Sequence, residues 1–187
     1  FGIQPNQANT GYGYIKKGQP EGDGYKVEKF EEKPSIEVAE EFIKSGNYLW
    51  NSGMFLIKAS KYLSELKKYR PDILEICEAS IGNKKNDLDF IRIDNAIFEQ
   101  CPSDSIDYAV MEKTLDSVVI PMEAGWNDVG SWKSVWEISN KDNNGNSSSS
   151  DAIFLNTTNT YVNSDTFVAT IGIHNLVIVS TKDALLI

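Results

Sequence analysis

A change of texture near residue 140 divides this sequence and narrows the architectures open to it. Before it, strand-like and helix-like stretches alternate, the pattern of an α/β layer architecture. Tyr25 to Phe30 reads as a strand leading into the loop Glu31-Glu32-Lys33-Pro34. Ser35 is then placed to cap a helix whose Val38, Ala39, Phe42 and Ile43 share one apolar face, and Gly46 ends it. Tyr48 to Ile57 is apolar enough for a buried strand. Helices are expected around Tyr62, Leu63 and Leu66, after Pro71-Asp72, and over Ile106 to Thr114. Val118 to Pro121 reads as a strand, and a last helix starts near Ser131.

From Asn140 to Ser150 the sequence is polar, with Gly145 and four consecutive serines, and reads as a solvated linker. Five short strand candidates follow, Ala152–Leu155, Tyr161–Val162, Phe167–Thr170, Leu176–Ser180 and Ala184–Ile187. Their close spacing predicts a small all-β region in which the turns of a β-helix are one arrangement. The expected division is therefore an α/β part over 1–139, a linker over 140–150 and a partial β domain over 151–187. Both ends fall inside apolar stretches, and the first residue is Phe1 rather than Met, so a fragment of a longer polypeptide is expected.

Charge and cysteine content exclude several functions. A net charge of −9 argues against a nucleic-acid surface, which needs clustered Lys and Arg. No apolar run approaches the roughly 20 residues that cross a bilayer, and no signal sequence opens the chain. Cys77 and Cys101 have neither disulfide-framework density nor metal-site spacing, which makes a reduced, cytoplasmic protein the default. One histidine, His174, lies in the β region and reads as structural, so acyl transfer by a Ser-His-Asp or Cys-His arrangement has little support.

Five segments carry polar residues where chemistry could sit. Glu32-Lys33-Pro34 pairs an acid with a cation at a strand end, suited to a sugar phosphate, although taken alone it reads more readily as a solvated charged turn. Trp50-Asn51-Ser52-Gly53-Met54-Phe55 places Asn and Ser in an apolar strand, either for a ligand or for a bulge. Gly11 to Ile15 reads as a flexible loop facing a ligand, and Asp107 as the first-turn acid of a helix. In Gly125-Trp126-Asn127-Asp128-Val129-Gly130-Ser131-Trp132, Asp128 is open to a ligand or metal, while Asp128 or Ser131 could instead cap the helix that follows.

Taken in order, Gly11–Ile15, Glu32–Pro34, Trp50–Phe55, Ser105–Lys113 and Gly125–Trp132 resemble the motifs of mannose-1-phosphate guanylyltransferases, within the sugar-1-phosphate nucleotidyltransferases. The resemblance spans essentially the whole chain. It implies the C-terminal half of a Rossmann-like nucleotidyltransferase domain, followed by the start of a small β-helix-like domain. It also implies transfer of GMP from GTP to mannose 1-phosphate. By the same resemblance Lys33 contacts the sugar phosphate, Glu32 and Asn51 hold sugar hydroxyls, Gly13 lies against the sugar, and Asp128 is a magnesium ligand. The family's glycine-rich loop ending in Arg, its Pro-Lys pair and a second acidic magnesium ligand are absent from this sequence, and the four serines are not typical of it. A sister enzyme using another base or sugar, such as glucose 1-phosphate with dTTP, and a non-catalytic sugar-binding regulatory module are the alternatives. A homo-oligomer is allowed for.

Overall fold

In the computed structural model, which describes Phe1–Ile187, the chain forms two units, Phe1–Ala124 and Gly125–Ile187. The first unit is built on a mixed sheet of β1 (Gly2–Ile3), β2 (Tyr14–Glu21), β3 (Gly24–Glu31), β4 (Tyr48–Asn51), β7 (Val118–Val119) and β8 (Pro121–Met122), in the order β7-β3-β2-β4-β1-β8. A separate hairpin, β5 (Lys85–Asp87) with β6 (Phe90–Arg92), was not expected from the sequence.

β2 and β3 are an antiparallel hairpin turned by Gly22 at φ 58°. Pleating gives the sheet two apolar faces. On one, Ile15, Phe30, Leu49 and Val119 are buried together, with Met111 packed on them. On the other, α1 (Ile36–Ser45) lays down Ala39 and Phe42, and the Phe42 ring stacks on Tyr48 at 3.8 Å. α1 starts and stops as its sequence predicts: Ser35 Oγ accepts from the Val38 N–H at 3.5 Å, and Gly46 at φ 69° closes the last turn.

α2 (Ala59–Tyr69) and α3 (Pro71–Gly82) meet at Arg70, with Pro71 where its missing N–H costs nothing. Leu66 and Leu74 from these helices bury against Ala109 and Val110. A short α4 (Asn95–Phe98) is capped by Asp94. The helix expected over Ile106 to Thr114 is instead a single π-helical turn, Asp107–Met111. The strand expected over Tyr48 to Ile57 ends at Asn51. There the Asn51 side chain takes the Gly53 N–H, Gly53 turns at φ 70°, and Ser52 bonds to the Phe1 carbonyl.

The second unit opens with α5 (Trp132–Ile138) and winds into coils. β9 (Ser147–Ser148), β11 (Tyr161–Ser164) and β13 (Val177–Ser180) stack in parallel, as do β10 (Ala152–Leu155) and β12 (Val168–Ile171). A third ladder is marked by the parallel bridge Thr158–His174, so His174 is structural, with its Nδ1 on Thr158 Oγ1 at 2.9 Å. β14 (Leu185–Leu186) returns antiparallel on β13. Left-handed residues recur at equivalent corners, Gly145, Asn159 and Asn175 on one and Asn156 and Gly172 on another. The parallel ladders with repeated corners make this a β-helix.

The division into 1–139, 140–150 and 151–187 is corrected by these observations: the units meet at 124/125, and 140–150 is no solvated linker. Asn146 is buried, donating from Nδ2 to the Thr157 carbonyl at 2.8 Å and accepting at Oδ1 from the Thr160 N–H at 3.1 Å. The four serines belong to the first coil. Ser149 Oγ accepts from Asn163 Nδ2 at 2.6 Å, and Ser150 Oγ accepts from the Ser164 N–H at 3.1 Å. Ser148, Ser149 and Ser150 bind the next coil through hydroxyls, so they need no apolar side chain and escape a hydrophobic-pattern reading.

Candidate functional site

Because β2 runs antiparallel to both β3 and β4, its start coincides with their ends: Tyr14 pairs with Glu31 on one side and Trp50 on the other. Gly13, Glu32 and Asn51 therefore meet at one end of the sheet. The pleat sets them on the face that carries Ile15, Phe30 and Leu49, so a polar recess continues the apolar core by one step of the strands. A β-carbon built on Gly13 would meet Glu32 Oε2 at 2.4 Å, Asn51 Cβ at 3.3 Å and Phe30 Cζ at 3.4 Å.

The stretch from Gly11 is tied down rather than flexible. Tyr14 is fully buried, and its hydroxyl accepts from the Asn9 N–H at 2.9 Å and donates to the Asn9 carbonyl at 3.1 Å. The Gly13 carbonyl in turn accepts the Asn51 N–H at 2.7 Å.

Glu32 is the odd member of the recess. Its side chain is 10 % exposed; Oε1 lies 3.5 Å from Lys33 Nζ, and Oε2 is buried with no hydrogen-bond partner. Burial pushes this carboxyl above its usual value and the Asp107 charge adds to that; Lys33 pulls the other way, and Glu112 raises it further. Lys33 adopts φ 49°, a left-handed conformation that costs a non-glycine residue on the order of 1 kcal/mol. Its ammonium stays largely exposed, a point charge beside the recess.

Asp107 and Glu112, from the π turn, complete the arrangement. Asn51 Nδ2 donates to Asp107 Oδ1 at 3.0 Å, and Glu112 Oε1 accepts the Glu32 N–H at 3.0 Å. The structure thus brings Gly13, Glu32, Lys33 and Asn51 together and adds two acids that the sequence pattern marks only as helix residues. The available signal was their separation by five residues, which a π turn brings to one side. A cavity of about 410 Å³ lies apart from these residues, lined by Phe55, Ile57, Tyr62, Met111 and Val118, with Lys61 hydrogen-bonded to Glu65 at its edge.

Asp128 belongs to the second unit. The helix that follows is capped by Ser131, whose Oγ accepts the Ser134 N–H at 3.1 Å, so capping does not explain Asp128. Asp128 is exposed, and the Gly130 N–H turns back onto its carbonyl. No group of three or more His, Cys, Asp or Glu in the chain could hold a metal by itself. No helix is long and apolar enough to cross a membrane.

The sheet flanked by helices, the polar recess at the strand ends and the attached β-helix define an α/β nucleotidyltransferase fold. A family model for nucleotidyl transferase matches residues 1–145, and the chain belongs to that family. It is 55% identical over 192 residues to a mannose-1-phosphate guanylyltransferase of Klebsiella pneumoniae, covering 100% of this chain and 41% of that protein. It is 56% identical over 189 residues to the mannose-1-phosphate guanylyltransferase RfbM of Salmonella typhimurium strain LT2, covering 100% and 40%. The chain thus spans about two fifths of the length of these relatives. Among solved structures, one described as a mannose-1-phosphate geranyltransferase from Thermus thermophilus superposes with a TM-score of 0.85 at 30% identity. The match covers 99% of this chain and 53% of that one. A structure described as a mannose-6-phosphate isomerase from Helicobacter pylori gives 0.62 at 35% identity, over 68% and 50%.

Proposed function

We propose that this chain carries the sugar-phosphate side of a mannose-1-phosphate guanylyltransferase, and that the whole protein converts GTP and mannose 1-phosphate to GDP-mannose and pyrophosphate. The observation that carries this reading is Glu32 Oε2. A buried carboxylate oxygen without a donor costs about 1–3 kcal/mol or more, and this one lies against Gly13, where even a β-carbon would stand 2.4 Å from it. A sugar hydroxyl is a donor of the polarity this oxygen lacks. Asn51 offers a second contact to the hydroxyls, and Lys33 a point charge for the phosphate. The identity of the relatives supports mannose 1-phosphate as that sugar phosphate.

In the reaction, a phosphate oxygen of the sugar phosphate forms a bond to the α-phosphorus of GTP as the bond to the pyrophosphate oxygen breaks. The nucleophile is already anionic at neutral pH, so the site needs alignment and charge neutralisation rather than a strong general base. Lys33 holds the attacking phosphate, while Glu32 and Asn51 fix the ring that carries it. Magnesium is commonly held by one or two carboxylates together with substrate phosphates, and the carboxylate of Asp128, free of any capping role, fits as one such donor. Bound there, magnesium would neutralise charge on the phosphates. A cytoplasmic enzyme acting on small molecules completes the reading; the net charge of −9 supports small-molecule substrates over nucleic acid.

The test is product analysis with the whole protein. GTP and mannose 1-phosphate are expected to give GDP-mannose and pyrophosphate, whereas dTTP and glucose 1-phosphate give little. Preference for the second pair, or no nucleotide sugar from either, overturns the assignment.

A further inference from the structure

We propose that Asp107 and Glu112 are positioning residues for sugar recognition: one π-helical turn sets both acids on the recess, Asp107 to orient the Asn51 amide and Glu112 to hold the main chain of Glu32. The inference rests on the functional reading above and goes beyond it in assigning these two acids.

The Glu112 N–H donates to the Asp107 carbonyl at 2.9 Å, the five-residue bond of a π turn. In an α-helix residues five apart stand about 140° apart around the axis; the wider turn brings these two onto one side. Asn51 is then fully specified. Its Oδ1 accepts the Gly53 N–H at 3.0 Å and one Nδ2 hydrogen goes to Asp107 Oδ1 at 3.0 Å, which rules out the flipped amide and leaves one N–H for a ligand. Glu112 Oε1 takes the Glu32 N–H at 3.0 Å, immediately before Lys33 in its left-handed conformation. One acid therefore sets the amide, and the other sets the backbone that aims both the Glu32 carboxylate and the Lys33 ammonium.

Stability alone does not account for this arrangement. It crowds Asp107 and Glu112 around the Glu32 carboxyl, with Lys33 the opposing cation, and both acids raise the energy of the ionised Glu32. Such juxtapositions concentrate at functional sites.

The experiment compares Asp107→Asn and Asp107→Ala in the whole protein, reading KM for each substrate, kcat, pH dependence and melting temperature. Asp107→Asn keeps an oxygen that accepts from Asn51 and removes the charge. Its KM for the sugar phosphate is expected within about threefold of wild type, with the acid limb of kcat/KM moved to lower pH as Glu32 ionises more readily. Asp107→Ala removes the bond as well, so KM for the sugar phosphate is expected to rise about tenfold or more, the worth of one hydrogen bond to a charged group, at unchanged KM for GTP. Equal effects on both substrates, no effect of Asp107→Ala, or an acid limb unmoved in Asp107→Asn would overturn the assignment. The wild-type control separates the two readings: if wild type rejects mannose 1-phosphate, the functional reading fails, and the comparison is made with whichever hexose 1-phosphate it accepts.

Discussion

Gly13 and Glu32 sit so close that a β-carbon on the first would stand 2.4 Å from Oε2 of the second. Glycine at the start of β2 is thus a requirement of space rather than of backbone conformation, because Gly13 does not adopt a positive φ. Gly13→Ala forces the Glu32 side chain to move, an overpacking that costs the folded chain about 1–3 kcal/mol, so the melting temperature should fall by several degrees. Sugar-phosphate affinity measured by calorimetry should fall with it, because the displaced carboxylate no longer sits beside Asn51.

Glu32 should trade stability for binding. Its carboxyl is raised in the folded chain by burial first and by Asp107 next, so the folded state holds the proton more tightly than the unfolded one. The stability that goes with this proton is present below the ordinary glutamate value and is lost as pH rises through the folded value. Glu32→Gln stays neutral throughout. Thermal unfolding at neutral pH should find the variant at least as stable as wild type, with any advantage shrinking as pH falls toward the ordinary glutamate value, while sugar-phosphate binding is lost.

Asn146 tests the β-helix. Its amide joins the first coil to the next through the Thr157 carbonyl and the Thr160 N–H, and it is 2 % exposed. Asn146→Ala strands both groups in the interior, at about 1–3 kcal/mol each. A lower midpoint in chemical or thermal unfolding of the second unit is the expected outcome.

Asp128→Asn separates metal binding from helix capping, which Ser131 performs at 3.1 Å. The whole protein should keep its melting temperature within a few degrees. Turnover should fall by orders of magnitude, because the change removes a negative charge from a site that depends on hard anionic oxygens. Steady-state rates over a magnesium series check this, and raised magnesium should restore part of the loss.

Much of this was legible in the residues. Ser35, Gly46 and Pro71 act through local backbone chemistry, so α1 and α3 start or stop where their sequence places them. Asn51 stood out because an amide in an apolar strand needs partners, whereas Glu32 and Lys33 stood out as an acid–cation pair only once the order of the motifs was taken together. Asp107 and Glu112 did not, because their role depends on a π turn and on strands more than fifty residues away in sequence. The serine run also misled: its hydroxyls bond across coils, a register that exists once β11 lies beside β9. The two-residue strands β7 and β8 carry too short a pattern to separate from one another, and the sheet around them decides where each pairs.

The central claim, that Lys33 reads the phosphate while Glu32 and Asn51 read the sugar, is tested most directly by titrating wild type and Lys33→Ala with mannose 1-phosphate and with mannose. Wild type should bind the phosphate ester more tightly by about 1.5–3 kcal/mol, the worth of one charge-assisted contact. Lys33→Ala should erase that difference and leave the weak affinity for mannose in place. If Lys33→Ala binds mannose 1-phosphate as wild type does, or loses both ligands equally, Lys33 is a surface charge and the account of this recess as a sugar-phosphate site is contradicted.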